Sequence, residues 1–375
     1  MNEEQTVVKK RYYELDIMRI ILMIFVIVGH SRYLDFVPYS FEDTAMNYYA
    51  GPLRYADIPV GFAYSFHMPL FFLLSGMVAF VTHEKTFSSF DKLVINKAKR
   101  LLIPYFICGL FWMIPLRVFA KVYDASNIAS GIIGLFNFTD GSHLWFLPAL
   151  FGTFICFYPF YLIYKKTQSL TFTFLGCYLF SLLIKLIPLS FLNFDKIVFY
   201  LPYFAAGFAV GGLIYSNGTR TKMTIFFKLS ISISLSAIIL IAQLHYSVYY
   251  TPLTVLVMGI SIYLFSLFIA ENTKFTSTKA FNTINKNCMG IYLFHDPINF
   301  PILYIAHISG FLAWRFGGEL MFLLRTVGIA VLSLLLAVIT SKIKVKIIEA
   351  KSKIIIPAGA IVIAAAMIGI TYIAK

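Results

Sequence analysis

The apolar stretch at residues 15–32 is the starting point for the fold class. It reads LDIMRIILMIFVIVGHSR. A helix needs about 20 mostly apolar residues to cross a bilayer, and this stretch has nearly that length. It also contains Asp16, Arg19 and His30. Ionisable side chains inside a membrane span usually face a cavity or a protein partner. The stretch therefore predicts a transmembrane helix with one polar face.

The rest of the chain repeats the apolar pattern. Of its 375 residues, 59% are hydrophobic and 13% are charged, against about 45–50% and about 25% in soluble domains. This composition excludes a soluble enzyme, a disordered chain and a small secreted scaffold. We predict an all-α, polytopic integral membrane protein with a ten-helix core and an eleventh C-terminal helix. The predicted spans lie near residues 15–32, 60–82, 101–120, 144–164, 170–188, 198–216, 225–243, 252–270, 288–309, 319–341 and 354–373.

The basic residues give the predicted orientation. The net charge is +14, but Lys and Arg lie in small groups between alternate apolar runs. That distribution follows the positive-inside rule and not the single basic face of a nucleic-acid binder. We expect a multi-pass plasma-membrane protein with a cytoplasmic N-terminus, surrounded by membrane lipids. The expected domains are a membrane domain at residues 1–345 and a basic linker with the extra helix at 346–375.

Three residues of the first span share a face. Asp16 and Arg19 are three residues apart and can pair. Arg19 and His30 are eleven apart, which is three turns plus about 20°, or about 16 Å along the axis. A cation then lies at the cytoplasmic end and a base at the outer end, as suits a phosphate-bearing cofactor with a long arm. In the alternative interpretation, Arg19 reaches to the membrane surface and His30 is an interface residue.

Two more histidines are expected at the level of His30. The topology brings His67 and His143 to the outer ends of the second and fourth spans. The chain has no HxxxH pair, and nearby carboxylates lie on loops, so we predict no metal site. The four cysteines form no CxxC pair, which predicts neither a disulfide framework nor zinc.

The third and ninth spans carry further candidates. The third begins with Lys97, Lys99 and Arg100, which either anchor the helix at the membrane surface or capture cofactor phosphates. In the ninth, Tyr292 and His295 are three apart and share a face. We place His295 and the adjacent Asp296 near mid-membrane, facing a cavity, and expect Pro297 to kink the helix. Arg117 and Arg325 also lie in spans and need a partner.

Five segments resemble the membrane acyltransferase 3 family, especially its polysaccharide and fucose O-acetylase-like branch. They occur in the family's order, and the likeness covers residues 10–345. The segments are Arg19-x10-His30 with the preceding Asp16, Phe66-His-Met-Pro-Leu-Phe-Phe-Leu-Leu-Ser-Gly76, Lys99-Arg-Leu-Leu-Ile-Pro-Tyr105, Leu144-Trp-Phe-Leu-Pro-Ala-Leu150 and Gly290-Ile-Tyr-Leu-Phe-His295.

The resemblance implies a bacterial membrane enzyme that takes an acyl group, usually acetyl, from cytoplasmic acyl-CoA. The group would pass to a hydroxyl of a cell-envelope or lipid-linked glycan. His30 is then the expected catalytic residue, with Arg19 and Asp16 beside it. Arg19, Arg100, Lys97 and Lys99 would bind acetyl-CoA as co-substrate. The expected substrate-binding residues are His67, His143, Trp145, Tyr292 and His295.

The residues leave several alternatives open. His30 is either a general base towards the acceptor hydroxyl or a nucleophile that carries the acyl group. The eleventh span lies outside the family core, and the soluble esterase-like domain of some relatives is missing from this chain. A separate glycan-assembly protein is therefore a further candidate partner. A transporter or flippase for a glycan also suits a many-span protein with intramembrane Arg and His.

Overall fold

The computed structural model describes most of the expected membrane core. It covers residues 11–31, 54–120, 128–139, 141–185, 193–216, 225–246, 252–309 and 317–342. All regular structure in these ranges is helical, which confirms the all-α prediction. The eleventh span at 354–373 and the C-terminal domain at 346–375 lie outside the described residues, and the domain boundary stays a prediction.

The helices follow the apolar runs of the sequence. We number them α1 to α13 in chain order, and single turns lie at His83–Thr86 and Phe275–Ser277. Their bounds are Tyr13–His30 (α1), Arg54–Tyr64 (α2), His67–Val81 (α3), Phe90–Phe119 (α4), Ile128–Phe136 (α5), Ser142–Thr167 (α6), Leu170–Ile184 (α7), Phe194–Tyr215 (α8), Ile225–Tyr246 (α9), Pro252–Asn272 (α10), Lys279–Phe294 (α11), Asn299–Ile308 (α12) and Gly317–Lys342 (α13).

The described residues form a polytopic membrane protein. Six helical segments are long and apolar enough to cross a bilayer. The helix α1 has the length of a short span but carries Glu14, Asp16 and Arg19. It packs against five other helices, α2, α3, α10, α11 and α13. This central position keeps its polar face among protein rather than lipid. The full count of ten core spans stays a prediction.

Two predicted spans are broken in the structure. The second is interrupted at Ser65 and Phe66, and α3 then begins two residues before Pro69. The ninth ends at Phe294 and resumes at Asn299, so the residues of the break include His295 and Asp296. Proline lacks an N–H and its ring clashes with the preceding turn, which favours a break before Pro69 and at Pro297, although α6 and α8 continue past Pro159 and Pro202. The expected kink at Pro297 is confirmed.

The third span is longer than its apolar part. The helix α4 begins at Phe90, where the Ser89 hydroxyl accepts a hydrogen bond from the N–H of Lys92. It includes two π-helical segments, at Ala98–Leu102 and Gly109–Met113. The basic cluster from Lys97 to Arg100 was expected at the start of the span, but the extra turns place it within the helix.

Glycines bring α3 and α8 into close contact. A Cβ atom at Gly76 would overlap the backbone oxygen of Phe204, and one at Gly207 would overlap that of Leu73. Small residues that allow such approach are common where membrane helices pack. Beside them, the rings of Phe72 and Tyr200 stack with centroids 4.3 Å apart. The structure therefore gives Gly76 a role in helix packing.

Replacing Gly76 with alanine should destabilise the protein. The new methyl group must push α8 away, and overpacking of this kind costs about 1–3 kcal/mol. Gly328→Ala on α13 is the matched control, since a Cβ there meets no atom within 4 Å. Alanine in place of a helical glycine stabilises by about 0.5–1 kcal/mol where space allows. Thermal unfolding in detergent should show a lower midpoint for the first variant only, and equal midpoints would contradict the packing role.

Candidate active site

His30 and Asp296 form a buried pair. His30 is the last residue of α1, and Asp296 lies in the break between α11 and α12. The Nδ1 atom of His30 is 3.0 Å from Oδ1 of Asp296, and their side chains are 13% and 2% exposed. A carboxylate can only accept, so the proton of the neutral imidazole lies on Nδ1. Nε2 is then the unprotonated nitrogen, as a general base or a nucleophile requires.

A second imidazole contacts the other oxygen of Asp296. The Nδ1 atom of His143 lies 3.1 Å from Oδ2, and the Ser142 hydroxyl donates to the same oxygen at 3.3 Å. The opposite nitrogen of His143 donates to the carbonyl of Leu293 at 3.2 Å. Nδ1 of His143 and Oδ2 are in contact but not in hydrogen-bond geometry. Asp296 is thus held between two imidazoles.

His295 completes the group. Its ring is fully buried, with its centroid 5.0 Å from that of His30 and 5.1 Å from that of His143. Its Nδ1 atom donates to the carbonyl of Tyr292 at 2.7 Å, and the Tyr292 hydroxyl donates to the backbone oxygen of His143. We call the three imidazoles around Asp296 the histidine cluster. Sequence analysis placed His295 deeper than His30, but the structure brings them to one level.

Arg325 ties the two halves of this site together. It is fully buried on α13 and donates to Oδ1 of Asn299 from two nitrogens, at 2.9 and 2.7 Å. It also donates to the backbone oxygen of His30 at 3.4 Å. The N–H of Asn299 in turn donates to the backbone oxygen of Asp296. Arg325 therefore helps to set the distance between His30 and Asp296, and it has the partners that its place in a span requires.

His67 lies beside the histidine cluster. It is buried at the start of α3, and its Nδ1 atom donates to the carbonyl of Ala63 at 2.7 Å. The ring of Tyr64 packs 5.1 Å from His67 and 6.5 Å from His30. The prediction that His67 shares a level with His30 agrees with this arrangement.

Trp145 also lies near the cluster, two residues after His143. Its ring is half-buried and stacks on Tyr200 with a centroid distance of 5.5 Å. The ammonium of Lys196 lies 4.7 Å from the ring centroid, in a cation–π contact. The expected substrate-binding residues on α3, on α6, on α11 and in the break after α11 are thus gathered at one end of α1.

Arg19 and Asp16 lie towards the other end of α1. Arg19 is 3.4 Å from Asp16 and donates to Oδ1 of Asn285 at 3.2 Å. Arg11 is 2.9 Å from the second oxygen of Asp16. Fourteen residues separate Asp16 from His30, which is about 21 Å along a helix. The structure therefore brings Asp16 together with Arg19, whereas the carboxylate beside His30 belongs to Asp296.

A cavity of about 390 Å³ lies along α1 between these two ends. Four cationic residues line it, Arg19, Lys97, Arg100 and Lys286, and we call them the cationic end. Lys97 also packs its ammonium 3.4 Å from the ring centroid of Phe154. Lys99 is exposed and is not among the residues that line the cavity. Lys286 was not singled out from the sequence, although it lies one turn before the motif that starts at Gly290.

The other walls of the cavity are mainly apolar. They include Phe71, Leu74 and Phe146, and also Met68 and Tyr292. Met68 adjoins His67 in sequence, and Tyr292 donates to the backbone oxygen of His143, so this side of the cavity lies next to the residues that contact the histidine cluster. An anion held at the cationic end can thus extend an apolar chain towards the imidazoles.

Asp296 is the main site residue whose role the sequence did not reveal. It lies 266 positions from His30, and spacing arguments work only within one helix. The available signal was a carboxylate in an apolar run, next to His295 and a helix-breaking proline. Such a residue needs a partner in the membrane.

The comparisons with known proteins agree with this geometry. A family model for an acyltransferase domain matches residues 12–342. Nodulation protein NolL of Sinorhizobium fredii (strain NBRC 101917 / NGR234) is 30% identical over 198 residues, which are 52% of this chain and 47% of that protein. The match thus spans about half the length of this relative. No solved structure matches the chain. The family match covers nearly all the described helices, and the chain belongs to the acyltransferase 3 family of membrane acyltransferases.

Proposed function

We propose that this protein is a membrane O-acyltransferase that moves an acetyl group from acyl-CoA to a hydroxyl of a cell-envelope glycan. The observation that carries the proposal is the pairing of His30 with Asp296 at one end of α1, with a cavity leading from the cationic end towards it. Arg19 and His30 are about 16 Å apart along this helix. Family membership supports the reaction class.

The cationic end suits the nucleotide of acyl-CoA. CoA carries several phosphate charges, and guanidinium groups bind phosphate through paired hydrogen bonds. Arg19 and Arg100 supply two such groups, while Lys97 and Lys286 add positive charge. Asp16 and Asn285 hold Arg19 in place. The exposed Lys99 adds to the positive field outside the cavity. We assign this end to the cytoplasmic face, as the basic loops indicate.

The apolar part of the cavity suits the pantetheine arm and the thioester. The arm would run beside Phe71 and Phe146 towards Tyr292. The thioester would then meet Nε2 of His30, which the contact with Asp296 leaves unprotonated.

The acceptor would approach from the end of α1 that carries His30. His67, His143 and Trp145 lie there, and aromatic rings with nearby polar groups suit the mixed surface of a sugar. The distance between the two ends lets the glycan reach the acyl group without meeting the CoA nucleotide. A glycan hydroxyl on the outer side of the membrane fits this arrangement.

Labelled acyl-CoA tests the proposal directly. Inside-out vesicles containing the protein receive acetyl-labelled CoA at the cytoplasmic face, and label is counted in the extracted glycan. We expect label in ester linkage that alkali releases, at a rate that depends on the amount of protein. A transporter or flippase would instead move the glycan across the membrane without adding label to it. Unlabelled glycan in this assay would overturn the proposed acyltransferase function.

Arg19→Ala should weaken donor binding. Loss of a hydrogen bond to a charged group costs about 1.5–3 kcal/mol, which corresponds to a rise of about 10- to 150-fold in KM for acetyl-CoA. Arg19→Lys should restore only part of the affinity, because an ammonium cannot make the paired contact. Initial rates at varied acetyl-CoA measure the effect. Lys92→Ala is the control, since Lys92 is exposed on α4 and does not line the cavity. An unchanged KM in Arg19→Ala would remove Arg19 from the donor site.

A further inference from the structure

The imidazole of His295 has one hydrogen-bonded nitrogen and one nitrogen without a hydrogen bond. Among the described residues, Nε2 of His295 has no hydrogen-bond partner, although the ring is fully buried. The other nitrogen is engaged, since Nδ1 lies 2.7 Å from the carbonyl oxygen of Tyr292. A carbonyl only accepts, so the proton of the neutral ring lies on Nδ1 and Nε2 holds a lone pair.

A buried lone pair without a donor is costly. An unsatisfied buried polar group costs about 1–3 kcal/mol, and native proteins contain few of them. This one lies on a ring whose centroid is 5.0 Å from that of His30. Nδ1 of His143 also lacks a hydrogen bond, but it lies 3.1 Å from Oδ2 of Asp296, and Nε2 of His143 donates to the Leu293 carbonyl. His295 is therefore the member of the cluster that is equipped to receive a proton from outside.

We propose that His295 is a second base, which takes the proton of the acceptor hydroxyl while His30 carries the acyl group. The inference rests on the proposed acyltransferase function and deepens it, because it makes the transfer a two-step reaction. The observation behind it is the unpartnered Nε2 of His295 beside the imidazole of His30.

The first step forms an acyl-enzyme. Nε2 of His30 attacks the carbonyl carbon of the thioester, and the C–S bond breaks. The electron pair of that bond leaves with the CoA thiolate. The acylated ring keeps its proton on Nδ1, facing Asp296, and the negative carboxylate balances its positive charge.

The second step uses the other imidazole. The acceptor hydroxyl oxygen attacks the acyl carbon, and its proton moves to Nε2 of His295. The C–N bond breaks and its electron pair returns to Nε2 of His30. The proton on His295 then passes through water to the thiolate. One ester and one thiol are formed, and both imidazoles return to their starting state.

A two-step route explains why two bases lie together. In a one-step route, His30 is itself the base and needs no second imidazole. Once acylated, Nε2 of His30 has no lone pair for a proton, so the incoming hydroxyl requires another acceptor. The two rings are in direct edge-to-face contact, with centroids 5.0 Å apart, so a hydroxyl that attacks an acyl group on His30 arrives beside His295.

Isotope exchange separates the two steps. Purified protein in nanodiscs is given acetyl-CoA and labelled free CoA without acceptor, and label entering acetyl-CoA is counted. This exchange needs only the first step. In a parallel assay, octyl glucoside supplies sugar hydroxyls, and acetylated glucoside is measured. The variant is His295→Asn, because the asparagine amide can keep the donor to the Tyr292 carbonyl while Nε2 is lost.

We expect the wild type to catalyse both reactions. His295→Asn should keep exchange within about threefold of wild type, whereas transfer should fall by at least about 100-fold, the lower range for a general base. Membrane abundance and the thermal midpoint establish that the variant is folded. His295→Gln, which places its amide nearer to the Nε2 position, should give the same separation of exchange from transfer.

Three outcomes would overturn the inference. A wild type that transfers without exchange uses a one-step route, and the proposed function stands without the second base. Transfer by His295→Asn within tenfold of wild type excludes His295 as the base. Equal loss of exchange and transfer in folded His295→Asn and His295→Gln places His295 in the first step. A wild type with neither reaction would instead defeat the proposed function itself.

Discussion

Replacing His30 with asparagine should abolish both acyl transfer and CoA exchange. The amide can still donate to Asp296 from nearly the position of Nδ1, so the buried carboxylate keeps its contact. It offers no basic nitrogen at the position of Nε2. Loss of the group that activates or carries the acyl unit should lower kcat by at least about 10³-fold, within the range for a general base and above it for a nucleophile.

The matched control for His30 is another histidine of this chain. His83 lies at the opposite end of α3, donates to the carbonyl of Phe80 at 2.6 Å and packs against Tyr161 and Phe208. His83→Asn should keep kcat and KM close to wild type. Both variants are compared at equal membrane abundance, with label counted in the product. Transfer by His30→Asn within tenfold of wild type would remove His30 from the reaction under either route.

The polar face of α1 was predictable because it follows from the geometry of one helix. The eleven-residue spacing of Arg19 and His30 needs only the pitch of an α-helix. The pairing of Asp16 with Arg19 needs only the proximity of residues three apart, and the structure shows it at 3.4 Å. The family motifs indicated the family, and a family model for an acyltransferase domain matches residues 12–342.

Contacts between different helices could not be predicted from spacing within one helix. Asp296 is distant from His30 in sequence, and nothing in the spacing of either segment states their register. The helix also breaks after Phe294. A depth estimated along an unbroken ninth helix therefore placed His295 deeper in the membrane than His30, whereas the two residues lie side by side. Likewise, the role of Gly76 depends on the backbone of α8, which its own motif does not contain.

For Arg325, the sequence predicted the need for a partner but not which groups the partners are. A cation in an apolar span must have a partner, and this requirement was clear from the sequence. Its partners include the amide oxygen of Asn299 and the backbone oxygen of His30. Sequence reasoning looks first for an acidic partner, so neutral oxygens that happen to be brought close by the fold are easily missed.

Asp296→Asn should be almost as damaging as the loss of His30. The neutral amide cannot balance the positive charge that the His30 imidazole gains when it accepts a proton or an acyl group. In the orientation that places the amide nitrogen at the Oδ1 position, the side chain also donates towards Nδ1 of His30. The imidazole of His30 then either rotates, so that Nε2 no longer points at the substrate, or changes tautomer, so that Nε2 carries the proton. Removing the carboxylate from an imidazole that it orients lowers kcat by up to about 10⁴-fold in serine hydrolases. We expect a loss of about 10²- to 10⁴-fold here.

Asp16→Asn provides the decisive comparison, because sequence analysis placed Asp16 with the catalytic residues. In the structure it holds Arg19 and Arg11 at the end of α1 remote from His30. Its loss should loosen Arg19 and raise KM for acetyl-CoA, by about tenfold or less for a partly exposed ion pair, while kcat stays near wild type. Asp296→Asn should instead lower kcat and leave KM nearly unchanged. Steady-state rates of both variants separate the two carboxylates, and a reversed pattern would mean that Asp16, and not Asp296, serves the reacting group.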